Sequence, residues 1–145
     1  MTLNTCSEGI SFGRELEEAS AAFYKELAGR FPAHAETFEG YATVNNKNVS
    51  NVQRTYFGVI TDGIEGCYAF NLEPEEYVID VDLPEGIAEG DALAKALAVE
   101  ETMVRFYTDA GEQGKGLTAD VARAFSMIAR KRGDRIAELK SLAAS

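Results

Sequence analysis

An eight-residue pattern occurs twice in this chain, and it constrains the fold more than any other feature of the sequence. Residues 17–24 read EEASAAFY and residues 100–107 read EETMVRFY, so four of the eight positions are identical. In both segments apolar residues recur at the three- and four-residue spacing that marks one face of a helix. Because a repeated helical segment indicates a repeated structural unit, the sequence predicts a duplicated helical hairpin.

Apolar periodicity predicts two helices in the first half of the chain. The first spans about 7–30 and ends before Pro32, and the second runs from about 33 until it fades among glycines after 58. Helical periodicity is then missing from about 66 to 90, where Pro- and Gly-containing turn sequences occur. We therefore interpret this segment as a long crossover to a second hairpin.

Two more helices are predicted in the second half. We expect Asp91 to cap the third helix at its N terminus, and Gly111, Gly114 and Gly116 to break it. Thr118 is the expected N-cap of the fourth helix. The predicted fold class is all-α, with two antiparallel αα-hairpins joined by the long crossover between the second and third helices.

Polar residues interrupt the apolar stripes at matching levels. Residues equidistant from the turn of an antiparallel hairpin face each other. The midpoint of Glu17 and Asn45 falls at position 31 and that of Glu100 and Arg132 at position 116, each beside a predicted turn. Their helical neighbours Asn48 and Arg135 extend the pattern by one turn. The sequence predicts one buried layer made of six side chains: Glu17, Asn45, Asn48, Glu100, Arg132 and Arg135.

Each pair in this predicted layer also has a less specific interpretation. Glu17 and Glu100 are each followed by a second Glu, as on a solvated helix face. The segment 45–48 reads NNKN, which has poor helix propensity and is compatible with a loop that splits the second helix. Arg132 and Arg135 could extend their guanidinium groups to the surface from a basic helix.

The Glu-to-Tyr frames of residues 17–24 and 100–107 resemble the odd-numbered helices of the rubrerythrin and ferritin-like family, and the resemblance covers about 10–142. It implies a ferritin-like four-helix bundle. Members of that family hold two iron ions in the bundle core with Glu on the odd helices and Glu-x-x-His on the even helices. The resemblance further implies peroxidase activity or iron oxidation and storage, and frequent homodimers.

This chain departs from the family pattern on both even helices, which carry Asn45-x-x-Asn48 and Arg132-x-x-Arg135. An amide is a weak neutral donor, and a guanidinium has no lone pair with which to bind a cation. We therefore expect no bound cofactor and no catalytic residue. The predicted function is a non-catalytic structural or interaction module whose di-iron site is replaced by a salt-bridged polar core.

Two alternatives stay open on the sequence alone. In the first, the chain is an iron-dependent oxidoreductase of the rubrerythrin type with an atypical site. Glu17 and Glu100 are then the residual ligand candidates, helped by Asn45 or Asn48. In the second, the asparagines and arginines of the layer form a pocket for an anion or small molecule.

Composition excludes several classes of partner. The chain of 145 residues has 24 acidic and 14 basic side chains, a net charge of −10 that disfavours nucleic acid and anionic membranes. Cys6 and Cys67 form no C-x-x-C pair, which argues against a cysteine-based zinc site. Residues 1–11 lack the basic start and apolar run of a signal peptide. We therefore expect a single cytoplasmic domain, 1–145.

We predict a homodimer or larger oligomer, because the resemblance implies one and because the crossover is rich in apolar residues that could form an interface. Light scattering should give a mass above that of one chain. A monomer mass that does not change with protein concentration would contradict this prediction. The apolar residues in question are Tyr68, Phe70, Tyr77, Val78 and Ile79.

Overall fold

The chain folds into a bundle of four long helices, as the periodicity predicts. The structure, a computed structural model, describes residues 2–61, 68–114 and 119–144. Within these ranges the helices are α1 (Cys6–Arg30), α2 (Ala35–Thr61), α3 (Glu89–Gly114) and α4 (Ala119–Ala144). None of the described helices is long and apolar enough to cross a membrane.

The helices pack mainly in the two pairs that the duplication predicts. α1 lies along α2, and α3 lies along α4. Smaller contacts join α1 to α3 and α2 to α4. Each helix thus has two helical neighbours, and one face of every helix points into a shared interior.

A small antiparallel ribbon that the periodicity missed holds the start of the chain. Strand β1 (Leu3–Thr5) pairs with strand β2 (Tyr68–Leu72), which lies in the crossover. Leu3 is paired with Leu72, and both side chains are buried. Strands of three and five residues are too short to show a clear alternation, so the crossover was predicted without them.

The Thr5 side chain begins α1 with a capping box. The Thr5 hydroxyl accepts from the Glu8 amide at 3.1 Å, and the Glu8 carboxylate accepts from the Thr5 amide at 3.0 Å. Two amides that the helix leaves without partners are satisfied in this way. Thr5 is therefore both the last residue of β1 and the N-cap of α1.

The predicted ends of α3 need correction. α3 begins at Glu89, so Asp91 lies in its first turn and is not the N-cap. An acidic side chain there still interacts favourably with the helix dipole, which explains the misleading signal. Gly116 and Thr118, the predicted breaker and cap, lie outside the described residues.

Gly111 does not break α3, which continues to Gly114. A Cβ atom at Gly111 would lie 2.9 Å from the Ser126 hydroxyl oxygen and 3.5 Å from the Ala122 carbonyl oxygen. This glycine therefore allows α3 and α4 to approach closely. It serves helix packing, which the sequence cannot distinguish from helix termination.

The apolar interior consists of two clusters. One gathers around Phe106 and includes Leu16 and Ile128, and the other gathers around Phe38 and includes Leu27 and Leu139. Along α1 and α4 the buried polar residues fall between the members of these two clusters. The polar layer therefore divides the core across the bundle axis.

Only part of the predicted apolar interface in the crossover is available for contact. Tyr77 is buried against Phe106, with ring centroids 5.3 Å apart. Ile79 is partly buried, whereas Val78 is 73% exposed. The side chains of Tyr68 and Phe70 lie outside those the structure describes. Tyr77 therefore contributes to the core of the chain itself.

We predict that Phe106→Ala lowers the free energy of unfolding by about 3–5 kcal/mol, because Phe106 is fully buried among four aromatic rings and its removal leaves a cavity. Urea denaturation followed by circular dichroism measures the change. Val78→Ala is the matched control and should stay within about 0.5 kcal/mol. Equal effects of the two substitutions would contradict the packing described above.

Candidate functional site

The structure brings the six predicted polar residues together in one buried layer. None of them is more than 6% exposed: Glu17, Asn45, Asn48, Glu100, Arg132 and Arg135. α2 is continuous through residues 45–48, so the loop interpretation is wrong. Because all six side chains are buried, the interpretations that placed the acidic or basic members at the surface are also wrong.

Helix geometry explains why two residues of one helix reach the same layer. Residues three apart lie on one helix face, and this spacing separates Asn45 from Asn48 and Arg132 from Arg135. Glu17 and Ser20 share the spacing on α1, and Ser20 is fully buried in the layer. Ser20 is not among the six predicted members of the layer, although its position on the apolar stripe of α1 was a usable signal.

Arg132 is the centre of the layer. Its Nη1 donates to both carboxylate oxygens of Glu100, at 2.6 and 2.7 Å. Its Nη2 donates to Glu17 Oε2 and, at 3.1 Å, to Asn45 Oδ1. One guanidinium group from α4 therefore joins carboxylates from α1 and α3 and an amide from α2.

Arg135 pairs with the carboxylate of α3. Its Nη1 donates to Asn45 Oδ1 at 2.9 Å and to Glu100 Oε2 at 3.4 Å. Its guanidinium carbon lies 4.4 Å from the ring centroid of Tyr41 and 5.3 Å from that of Tyr24. Aromatic faces attract cations more strongly when water is excluded, so these rings supply part of the environment of this charge.

Amide and hydroxyl groups add further hydrogen bonds to the two carboxylates. Asn48 Nδ2 donates to Glu17 Oε1 at 2.8 Å, and the Tyr24 hydroxyl donates to Glu100 Oε2 at 2.6 Å. Asn45 Nδ2 donates to the Ser20 hydroxyl oxygen at 2.6 Å. Tyr24, the last residue of the repeated frame 17–24, is therefore a hydrogen-bond donor to the layer.

Burial and neighbouring charges shift the pKa values in the layer. Removal from water raises the pKa of Glu17, and the charge of Arg132 and the Asn48 hydrogen bond only partly offset it. For Arg132, burial alone would lower the pKa, but Glu100 and Glu17 outweigh it and raise the pKa above its ordinary value. Burial, followed by the charge of Glu100, raises the pKa of Tyr24. The guanidinium therefore stays charged and the phenol stays protonated.

Two buried polar atoms of the described residues, one within the layer and one beside it, have no hydrogen-bond partner. Among the described residues, the Tyr107 hydroxyl and Arg132 Nε are buried without a hydrogen bond. The pKa of Tyr107 is raised first by burial and then by the nearby charge of Glu17. Tyr107 therefore lies close to the charges of the layer, although its hydroxyl makes no hydrogen bond to a described residue.

The donor set does not fit two iron ions. Two carboxylates and two guanidinium groups give the layer a formal charge of zero, and each carboxylate already accepts hydrogen bonds from Arg132. Within the described ranges, no three His, Cys, Asp or Glu side chains gather where they could hold a metal ion. A divalent ion between Glu17 and Glu100 would have to displace a guanidinium, which repels it.

The one histidine of the chain does not join the layer. His34 lies in a short 3₁₀ turn, Pro32–His34, and its Nε2 is 3.2 Å from Glu89 Oε1. The Cys6 side chain and Cys67 lie outside those described. The layer is therefore the strongest functional candidate, and all seven buried residues with charged, amide or aliphatic hydroxyl side chains in the described part of the chain belong to it.

Comparisons with protein-family models, with curated proteins and with solved structures found no match to this chain. The contacts of the layer are accordingly the basis on which its role can be argued.

We predict that Arg132→Met lowers the free energy of unfolding by about 3–5 kcal/mol, because it leaves a buried carboxylate without its cation. Glu17 loses its only ion-pair partner among the described residues, whereas Glu100 keeps Arg135. Adding Glu17→Gln should therefore recover more stability than adding Glu100→Gln, with a coupling energy of about 0.5–3 kcal/mol.

Urea denaturation of the single and double variants measures this coupling. Arg130→Met is the matched control, because Arg130 is an exposed arginine two residues away and its loss should cost no more than about 0.5 kcal/mol. A cost for Arg132→Met as small as that of the control, without coupling to either glutamate, would contradict the bridging role of Arg132.

Proposed function

We propose that this chain is a metal-free bundle of the rubrerythrin and ferritin-like type, and that it acts as a non-catalytic structural or interaction module. In this proposal an ion-paired layer replaces the di-iron site. The observation that carries it is the Arg132 guanidinium, which bonds to both Glu17 and Glu100 in the bundle core. A fixed positive charge stands there between the two carboxylates that remain as candidate metal ligands.

The arrangement of the helices supports the ferritin-like topology. The repeated segments fall on α1 and α3, and their first glutamates, Glu17 and Glu100, meet on the same guanidinium. The long connection between α2 and α3 corresponds to the predicted crossover and contains β2. Two equivalent hairpins that face each other across a central polar layer are what a duplicated bundle of this type requires.

The chemistry of the layer supports a structural role. Its buried side chains mostly bond to one another, and its carboxylates are held by cations and neutral donors. A general acid or base has to reach a substrate proton within hydrogen-bond distance, and side chains at most 6% exposed offer little access to one. The layer therefore acts on the register and stability of the helices.

An iron-dependent oxidoreductase requires a different state of the same residues. Glu17 and Glu100 could ligate an ion only after Arg132 had left its present bonds, and Asn45 and Asn48 would remain weak ligands. Displacing a buried guanidinium would leave it without its partners, at a cost of several kcal/mol. This cost favours the metal-free proposal.

We predict that protein produced in iron-supplemented medium contains well under one iron per chain and shows no peroxidase or ferroxidase activity above background. Elemental analysis of the purified protein measures the metal. The comparison variant combines Asn45→Glu, Asn48→His, Arg132→Glu and Arg135→His, which supplies the carboxylate and imidazole ligands of a di-iron site. Two irons bound per native chain would overturn the proposal.

A further inference from the structure

Parts of two helices of this acidic protein carry basic residues and no acidic ones. Residues 40–61 and 121–133 contain no Asp or Glu, yet they hold six of the 14 Lys and Arg residues of the chain. The first segment belongs to α2 and the second to α4, and these helices are neighbours in the bundle. Only one of the six, Arg132, is buried in the polar layer.

A groove of about 240 Å³ lies between these two helix segments. Arg54 stands on the α2 side and Lys131 on the α4 side, and both are exposed. Neither forms an ion pair with any residue that the structure describes. In this they differ from Arg132 and Arg135, which are paired with buried carboxylates.

The floor of the groove is apolar next to these charges. Ile128 is 5% exposed, and Met127 is 47% exposed, one of the few large apolar side chains of the described part of the chain that remain open to solvent. Ala124 continues the apolar surface, and Asn48 borders it with a buried amide. A flexible methionine adapts to ligands of irregular shape.

We propose that this groove binds a small amphipathic anion, an organic acid with one anionic head and an apolar body. The head is held between Arg54 and Lys131, and the body covers Met127 and Ile128. The ligand needs both an anionic head and an apolar body, because the groove offers cations beside an apolar lining. An apolar lining with a few convergent polar groups is typical of small-molecule sites. The volume is slightly below the usual range of about 300–1,000 Å³, which favours a compact ligand.

The groove and the polar layer share one residue. Asn48 lines the groove and donates to Glu17, so a ligand seated there contacts a residue that holds the layer together. A ligand that binds only the folded chain raises its stability. The inference does not depend on the proposed absence of iron, because the groove residues Arg54, Met127 and Lys131 are not members of the layer.

The test is isothermal titration calorimetry of the full chain with sodium octanoate at low ionic strength. We expect one octanoate per chain and an affinity at least about tenfold higher than that of acetate or of inorganic phosphate, because neither carries an apolar body. Octylammonium, which has the same body and the opposite charge, should not compete. Acetate or phosphate binding as tightly as octanoate would overturn the proposal.

Two double variants locate the site. Arg54→Gln with Lys131→Gln should weaken octanoate binding at least about tenfold. Lys25→Gln with Lys140→Gln makes the same change in net charge at exposed positions outside the groove, and binding should stay within about twofold. Circular dichroism checks that both variants fold. Unchanged octanoate affinity in the groove variant, or an equal loss in the control, would overturn the assignment.

Discussion

The bonds of the Arg132 guanidinium are the constraint on which the rest of this bundle depends. Removing one guanidinium and two carboxylates from water is costly, and an isolated charge in such a core is untenable. Here the cost is offset because Arg132 bonds to Glu17 and Glu100 while Asn48 and Tyr24 satisfy further carboxylate oxygens. The network works only when all four helices are in place, since each contributes at least one member.

This dependence gives the layer a role in selecting the fold. Apolar contacts tolerate a sliding helix, but a shift of α4 by one turn would move Arg132 about 5.4 Å from its carboxylates. Such a shift leaves buried charges unpaired, so alternative registers are disfavoured. The apolar clusters around Phe106 and Phe38 then supply stability on either side of a layer that fixes alignment.

The sequence contains much of this architecture because helical spacing is a local property. The four helices can be predicted from apolar periodicity. That Glu17 and Asn45 lie opposite each other can be predicted because they are equally distant from the turn of their hairpin. The missed features depend on distant contacts: β1 needs its partner in the crossover, and Gly111 is explained only by Ser126 on the next helix. The bond from Tyr24 to Glu100 crosses 76 positions of sequence, and no spacing rule connects them.

The choice of ion-pair partners within the layer also cannot be predicted from sequence spacing. The sequence predicts that two arginines face two glutamates but not which pairs with which. Arg132 pairs with both carboxylates, whereas Arg135, about one turn further along α4, lies against Glu100 and two aromatic rings. Both buried guanidinium groups are thus paired with carboxylates, whereas the groove between α2 and α4 is bordered by the exposed cations Arg54 and Lys131. Charge is divided in this way between a buried layer that joins all four helices and exposed cations that lie along the groove between α2 and α4.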